Sequence, residues 1–597
     1  MKFRYVYWYI SLICSLEFFS CSSHDLVDCS TSIHEVTAHM DENSLLKNIR
    51  LSDGVYYLEF EQGMVEIPQN HVVDFDFNEA NWKTAFTFSD GSIFSVPTVG
   101  KNIDNFITDT TVNPSYYNPL AAEVLVDLPA LGRMKVVVHT KPGHKEPDVT
   151  YSFNSIERSQ RLIVLGLYPN YANRVTLIYA DKDGNERASS EIILETRLEK
   201  TLHLPDEIHV SALNPNHYEP GMTLVNSWGL DMFDTSVPYM IDRDGEIRWV
   251  LDWDSHPQLK HCRIDCGLTR MQNGHYLSGD ANTDALLEID VLGNVLNQWS
   301  LKDMGYFFHH CTRQTAEGNI VATVSKINAR LAGNLHSREQ DVVIEFDATQ
   351  GRIIHEYDFV NMLDSARYNI GEVDNLPSHQ TPSNWMHNNG IEKLGNDFLG
   401  TARYQGIFKY SSSGKVKWIM AAHDYWRAQY RQFLLQPLHA DGTPITDKEV
   451  ILGHKKCSDF EWPWGCHCCV QLPNGHYMAF DNGYGRQYKA ISSTYVPFSR
   501  AVEYEVDEVN RTVRQVWQYG TERGRAFFSP LASSVEFLPI TGNRLIGSAD
   551  YNVLSSGQIG ARICEVNPLT NDVVFEAELV GGNFHRVLRM PLYPEGL

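Results

Sequence analysis

Three histidines stand at one distance from a glycine turn. His310 lies eight residues before Gly318, His387 eight before Gly395 and His467 eight before Gly475. The same position before Gly274 and Gly542 holds Cys266 and Ser534. Where each glycine opens an equivalent turn of a repeated unit, equal spacing means equal position, so the three imidazoles are expected to converge near one axis. Arg403 and Asn389 join them. A hairpin symmetric about Gly395 sets His387 opposite Arg403, with Cβ atoms ~5 Å apart. Asn389, two residues beyond His387, then shares its face, provided that no bulge shifts the register. Several histidines, an arginine and an asparagine with no carboxylate among them form an anion site. The guanidinium fork suits sulfate or phosphate oxygens. A neutral histidine can attack sulfur or phosphorus, and a second can protonate a departing phenolate.

The elements that position these side chains are repeats. An alternating strand, a polar turn and a second strand recur at Tyr239–Val250, Leu287–Ser300, Val343–Asp358, Gly406–Ile419, Val502–Gln518 and Ala561–Glu578. Period-2 alternation around a polar turn reads as a β-hairpin. A second hairpin is expected before each, turning at Gly221, Gly274, Gly318, Gly395, Gly475 and Gly542. Two hairpins make a four-stranded blade, and six such units predict a six-bladed β-propeller over 205–597. Its longest insertion lies between Trp426 and Trp462. Residues 30–204 lack the repeat but carry short alternating strands, among them those starting at Gly54, Met134 and Val175, which predict an N-terminal β-sandwich. The fold class expected is all-β.

With 29 Tyr and 12 Trp, the composition favours strands. The net charge of -24 argues against a nucleic-acid partner, because that binding needs clustered Lys and Arg. An anionic ligand must therefore be held by a local cluster of donors against the global field. Lys2 and Arg4 precede an apolar run to Phe19 and then Ser20-Cys21-Ser22-Ser23. Residues 1–21 thus read as an export segment. Its end resembles a bacterial lipoprotein site with Cys21 as the lipid anchor, although Glu17, Phe18 and Phe19 depart from that pattern. The expected location is the periplasm of a Gram-negative bacterium, free or membrane-anchored. There are eleven cysteines. If Cys14 and Cys21 belong to the export segment an odd number remains, and an exported chain is expected to pair some of them.

The stretches Asn384–Ala421, Ser458–Gln487 and Val164–Thr176 resemble the bacterial aryl-sulfate sulfotransferase family. The resemblance rests on Trp385-Met386-His387 with Asn389, on Arg403 before Gln405-Gly406, and on His467 followed by Phe480-Asp481-Asn482-Gly483 and Arg486. It implies a propeller with an N-terminal sandwich and ping-pong transfer of a sulfuryl group from a phenolic sulfate donor to a phenol acceptor. No nucleotide cofactor or metal is implied, in accord with the absence of a GxxxxGK[ST] loop. His467 would become a sulfohistidine and His387 would act as general acid. His310, with His309 the alternative, would hold the sulfuryl oxygens together with Arg403 and Asn389. The family suggests a homodimer. Some members close a small disulfide loop before the nucleophile. Here Cys457 lacks an upstream partner, and Cys457 with Cys466 is the substitute pair expected. Asn118-Pro119-Leu120 places Leu where an aromatic is often seen.

The same residues admit three other readings. Cys466, His467, Cys468 and Cys469, with Cys262 and Cys266, offer soft metal ligands, yet neighbours on a strand face opposite ways. A propeller can also be a binding scaffold without catalysis. Water in place of the acceptor would give an arylsulfatase-like hydrolase.

Overall fold

The computed structural model describes residues 45–597, apart from 53, 61–62, 79–81, 99–104, 182, 200–201, 228–235, 263–266, 327–339, 368–384 and 490–497. The expected export segment at 1–21, with Cys14 and Cys21, lies outside the described residues, as does Cys266. The chain is all-β, a six-bladed β-propeller with an N-terminal β-sandwich. Among the described residues the α-helix is Lys448–Leu452, five residues within the long insertion. No described helix is long and apolar enough to cross a membrane.

The chain forms two compact units. One comprises the described residues up to 102 with Pro129–Leu131 and Ser155–Ser159. It contains two antiparallel meanders, Leu46–Ser52 with Val55–Phe60 and Gly63–Pro68, and Val72–Asn78 with Lys83–Phe88 and Ile93–Pro97. Alternate residues such as Leu58, Phe75, Phe86 and Phe88 form its core.

The second unit holds Ile103–Leu128, Gly132–Asn154 and everything from Gln160 on. Its sandwich strands include Ala172–Asp181, paired with Val138 through Gly132 on one side and with Glu186–Glu195 on the other. From Glu207 the chain makes six sheets, the blades. All six hairpins read from the sequence are present as paired strands. The innermost strands lie side by side around the ring. Tyr306–Gln314 of blade 3 neighbours Asn388–Leu394 of blade 4, followed by His467–Gln471, Ser534–Phe537 and Arg586–Met590.

One expectation is corrected. No hairpin precedes the Gly221 turn in blade 1. Its inner strand is Arg586–Met590 from the far end of the chain, paired with Met222–Asn226. In return, Glu207–Leu213 adds a fifth, outer strand to blade 6. Building blade 1 and blade 6 from strands of both ends of the propeller segment fastens the ring shut, while each blade keeps only a short outer edge.

Candidate active site

The inner strands of blades 3, 4 and 5 each break register at, or within two residues of, a histidine. The slips fall between Phe308 and Thr312, between Asn388 and Gly390, and between His467 and Cys469. A bulge inserts an unpaired residue, bends the strand and re-aims its side chains. His310 has φ 56° and His387 φ 53°, and in blade 5 the left-handed residue is the adjacent Cys468 at 51°. Such conformations cost about 1–3 kcal/mol each in residues other than glycine. Three of them at one level of a ring indicate that the direction of the side chains is what the strain maintains.

The bulges bring the imidazoles together. The His310 ring lies 4.8 Å from that of His387 and 6.4 Å from that of His467. His309 takes another course. Its Nε2 sits 3.4 Å from the buried Asp341 carboxylate and its Nδ1 3.1 Å from Nδ1 of His310. Burial opposes ionisation of Asp341, yet the His309 charge and hydrogen bond keep its pKa below the ordinary value. His310 thus joins the ring cluster, and His309 braces it from behind.

His467 is held in one tautomer. The Asn482 amide nitrogen donates to the carbonyls of Ser529 at 2.8 Å and Ala532 at 3.0 Å. Its oxygen must therefore face His467 Nδ1, 2.8 Å away. An amide oxygen only accepts, so Nδ1 carries the proton and Nε2 keeps its lone pair. His467 is buried. Burial first, and the Arg403 charge second, push its pKa down to about 3. The same two causes, with the neighbouring imidazoles, carry His387 well below 6.5. For His310 the causes are burial and then the charges of His309, His585, His467 and Arg403. At neutral pH the cluster is uncharged.

Arg403 is 7% exposed, and its Nε and Nη1 have no hydrogen-bond partner among the described residues. Its guanidinium lies 4.8 Å above the Tyr484 ring. The sequence-derived pairing holds, since the Arg403 N–H donates to the His387 carbonyl at 3.0 Å. Asn389 donates to the Cys466 carbonyl at 3.1 Å, tying blade 4 to blade 5 beside His467. A pocket opens next to Arg403, lined by Arg367, Tyr404, Tyr484, Trp464 and Gly465. Gly465 has φ 59°, and a Cβ there would meet Cβ of Tyr484 at 2.6 Å, so glycine allows this wall to close. Trp464 faces the pocket, whereas Trp385, Met386 and Trp462 are core.

Sequence reasoning missed two members. His585 is buried, with its ring 6.3 Å from His310 and 6.4 Å from His467. It stands just before the ring-closing strand Arg586–Met590, where no glycine turn marks the register. Asn482 lies within the Phe480–Gly483 stretch, but its contact with His467 depends on the bulge.

The expected Cys457–Cys466 disulfide is not formed, and both cysteines are free. Cys466 is sealed in the apolar core between blades 4 and 5, while the Cys457 thiol donates to Asp459 at 3.3 Å in the insertion. The cysteine run also splits. Cys469 joins Cys466 in that core, and Cys468 packs between blades 5 and 6. The strand faces, re-phased by the bulge at Cys468, thus divide the run between two cores.

Buried histidines beside a guanidinium with no carboxylate partner among the described residues, at the bulged inner strands of a propeller, are chemically suited to hold an anionic group. The comparisons supply the family. The arylsulfotransferase (ASST) profile matches residues 207–586, and that of the arylsulfotransferase Ig-like domain matches 109–197. The chain belongs to the arylsulfotransferase family. It is 28% identical over 544 residues to arylsulfate sulfotransferase AssT of Lelliottia amnigena, covering 79% of this chain and 89% of that protein. It is 27% identical over 542 residues to the AssT of Escherichia coli O6:H1 (strain CFT073), with the same coverages.

Proposed function

We propose that this arylsulfotransferase moves a sulfuryl group from a phenolic sulfate to a phenol in two displacements, with His467 as the carrier. One arrangement supports the reading above all. Asn482 engages the His467 Nδ1 proton and so leaves Nε2 its lone pair, beside a buried arginine with no carboxylate partner among the described residues. A buried cation without a counter-charge is costly unless the ligand supplies that charge, and the sulfate ester does so. Arg403, Asn389 and His310 hold the non-bridging oxygens, where donors aimed at developing charge contribute most.

In the first step Nε2 of His467 attacks sulfur, the N–S bond forms and the S–O bond to the aryl group breaks. The phenolate leaves with a proton from His387. Although His387 is neutral in the empty site, the ester's negative charge offsets that of Arg403 and so favours its protonated form. In the second step an acceptor phenol returns a proton to His387 while its oxygen attacks sulfur. The N–S bond breaks and its electron pair returns to His467. Tyr404, Tyr484 and Trp464 wall a pocket suited to the aryl ring. The export and lipid anchorage read from residues 1–21, and the homodimer, belong to the same proposal.

The test uses 4-nitrophenyl sulfate and phenol without any nucleotide. Nitrophenol release should require phenol and fall by at least ~10³-fold in His467→Ala. Release independent of phenol would point to hydrolysis. Release that survives the substitution would remove His467 from the mechanism.

A further inference from the structure

The insertion between Trp426 and Trp462 brings together three donor atoms that the transfer chemistry does not use. His439 follows the short edge strand Gln436–Leu438 and starts a tight turn, its N–H donating to the Thr443 carbonyl at 2.8 Å. Cys457 and Asp459 lie on the returning limb. His439 Nδ1 stands 3.0 Å from Asp459 Oδ1, and Cys457 Sγ 3.3 Å from the same oxygen. All three donor atoms fall within 4.8 Å of one another. The other carboxylate oxygen accepts the Ala440 N–H at 2.8 Å and lies 3.3 Å from His439 Nδ1, so Oδ1 is the oxygen nearer the imidazole and the one that meets the sulfur. Each residue is partly exposed, which leaves an ion a path in.

We propose that His439, Cys457 and Asp459 form a zinc(II) site that ties the two limbs of the insertion together. Thiolate, imidazole and carboxylate together are a donor set zinc accepts. With bonds of about 2.0–2.3 Å, a zinc tetrahedron has edges of about 3.3–3.6 Å. The distances to Asp459 need only a few tenths of an ångström of adjustment. Binding releases the Cys457 thiol proton as the S–Zn bond forms, and water takes the fourth position. The site precedes Trp464 and Gly465 in the same segment, and those residues wall the pocket beside Arg403. Its role is to hold that segment at both ends.

The full-length protein, stripped with chelator and kept reduced, is titrated with cobalt(II) and then zinc(II). The expected result is an equimolar tetrahedral cobalt spectrum with a thiolate-to-cobalt charge-transfer band, bleached by one equivalent of zinc, and a Tm raised by zinc. Cys457→Ser should lose the charge-transfer band. His439→Ala and Asp459→Asn, checked for native circular dichroism, should lose both the equimolar binding and the Tm response. No stoichiometric cobalt binding by the wild type would overturn the proposal. So would a charge-transfer band that persists in Cys457→Ser, or a zinc response unchanged in His439→Ala.

Discussion

Two buried arginines on neighbouring blades sit in opposite circumstances. Arg500 of blade 5 is enclosed by acceptors. Its Nε lies 2.8 Å from Asp481, its Nη2 donates to the Glu461 carbonyl at 3.1 Å, and its Nη1 reaches Gln515 and Gln518. Arg486 shares Asp481 at 2.9 Å and adds the Glu461 carboxylate at 3.2 Å. The other oxygen of Asp481 accepts the N–H groups of Trp464 and Gly483, so this network builds the pocket wall. Arg403 of blade 4 is as deeply placed but has a tyrosine face for company and no carboxylate among the described residues. The first arrangement is complete within the protein. The second leaves room for a bound anion to supply the counter-charge. The number of buried arginines therefore says little about function, whereas the balance around each one separates scaffold from site.

Removing either guanidinium should reveal the difference. Arg500→Ala leaves Asp481 buried with part of its counter-charge gone. A loss of about 3–5 kcal/mol is expected, read as a lower urea midpoint with kcat per folded molecule largely kept. Arg403→Gln should leave the urea midpoint unchanged or raised while kcat/KM falls ~10²–10³-fold. Equal destabilisation in the two variants would erase the contrast. Asn482→Leu removes the acceptor that sets the His467 tautomer. A ~10–100-fold loss in kcat is expected, a size usual for groups that orient a reactive imidazole, with little change in KM. A variant as active as wild type would mean that Nε2 is exposed by some other means.

The smallest effect concerns pH. The folded pKa of His467, about 3, lies below the ordinary 6.5. The unfolded chain therefore takes up the proton first as pH falls. The histidine cluster's contribution to stability is present above about pH 6.5 and declines from there toward pH 3. Over that window Tm should fall, and exchanging His467 for Gln should flatten the slope. For the same reason the acid limb of kcat/KM should lie well below pH 6.5. A limb at 6.5 would mean that the nucleophile is solvated.

Much of this site could be read from residue spacing, because a propeller repeats its geometry and glycine turns mark the phase. His310, His387 and His467 followed from that. The pairing of His387 with Arg403 followed for a reason that was only half right. The turn is centred between Gly395 and Asn396, since Leu394 pairs with Asp397, and the bulge after Asn388 shifts the register back by one. The two offsets cancel. Where the chain closes on itself the phase is lost, which hid His585 and the true partner of the Gly221 strand. Cysteine pairing failed for a related reason. Cys466 and Cys457 are close in sequence, but one is sealed inside an interblade core and the other sits at its partly exposed edge, its thiol turned to Asp459 and the Phe460 carbonyl. The spacing already favoured His310 over His309, and the bulge is the physical reason that one of two adjacent rings turns inward.

If His467 carries the group between the two phenols, the loaded histidine can be trapped before an acceptor arrives. Protein mixed with 4-nitrophenyl sulfate in the absence of acceptor, then digested under alkaline conditions and examined by mass spectrometry, tests it directly. One sulfuryl group on the peptide containing His467, formed with one burst equivalent of nitrophenol and discharged when phenol is added, is the result the account predicts. A burst without the adduct, or an adduct that phenol does not discharge, would contradict it.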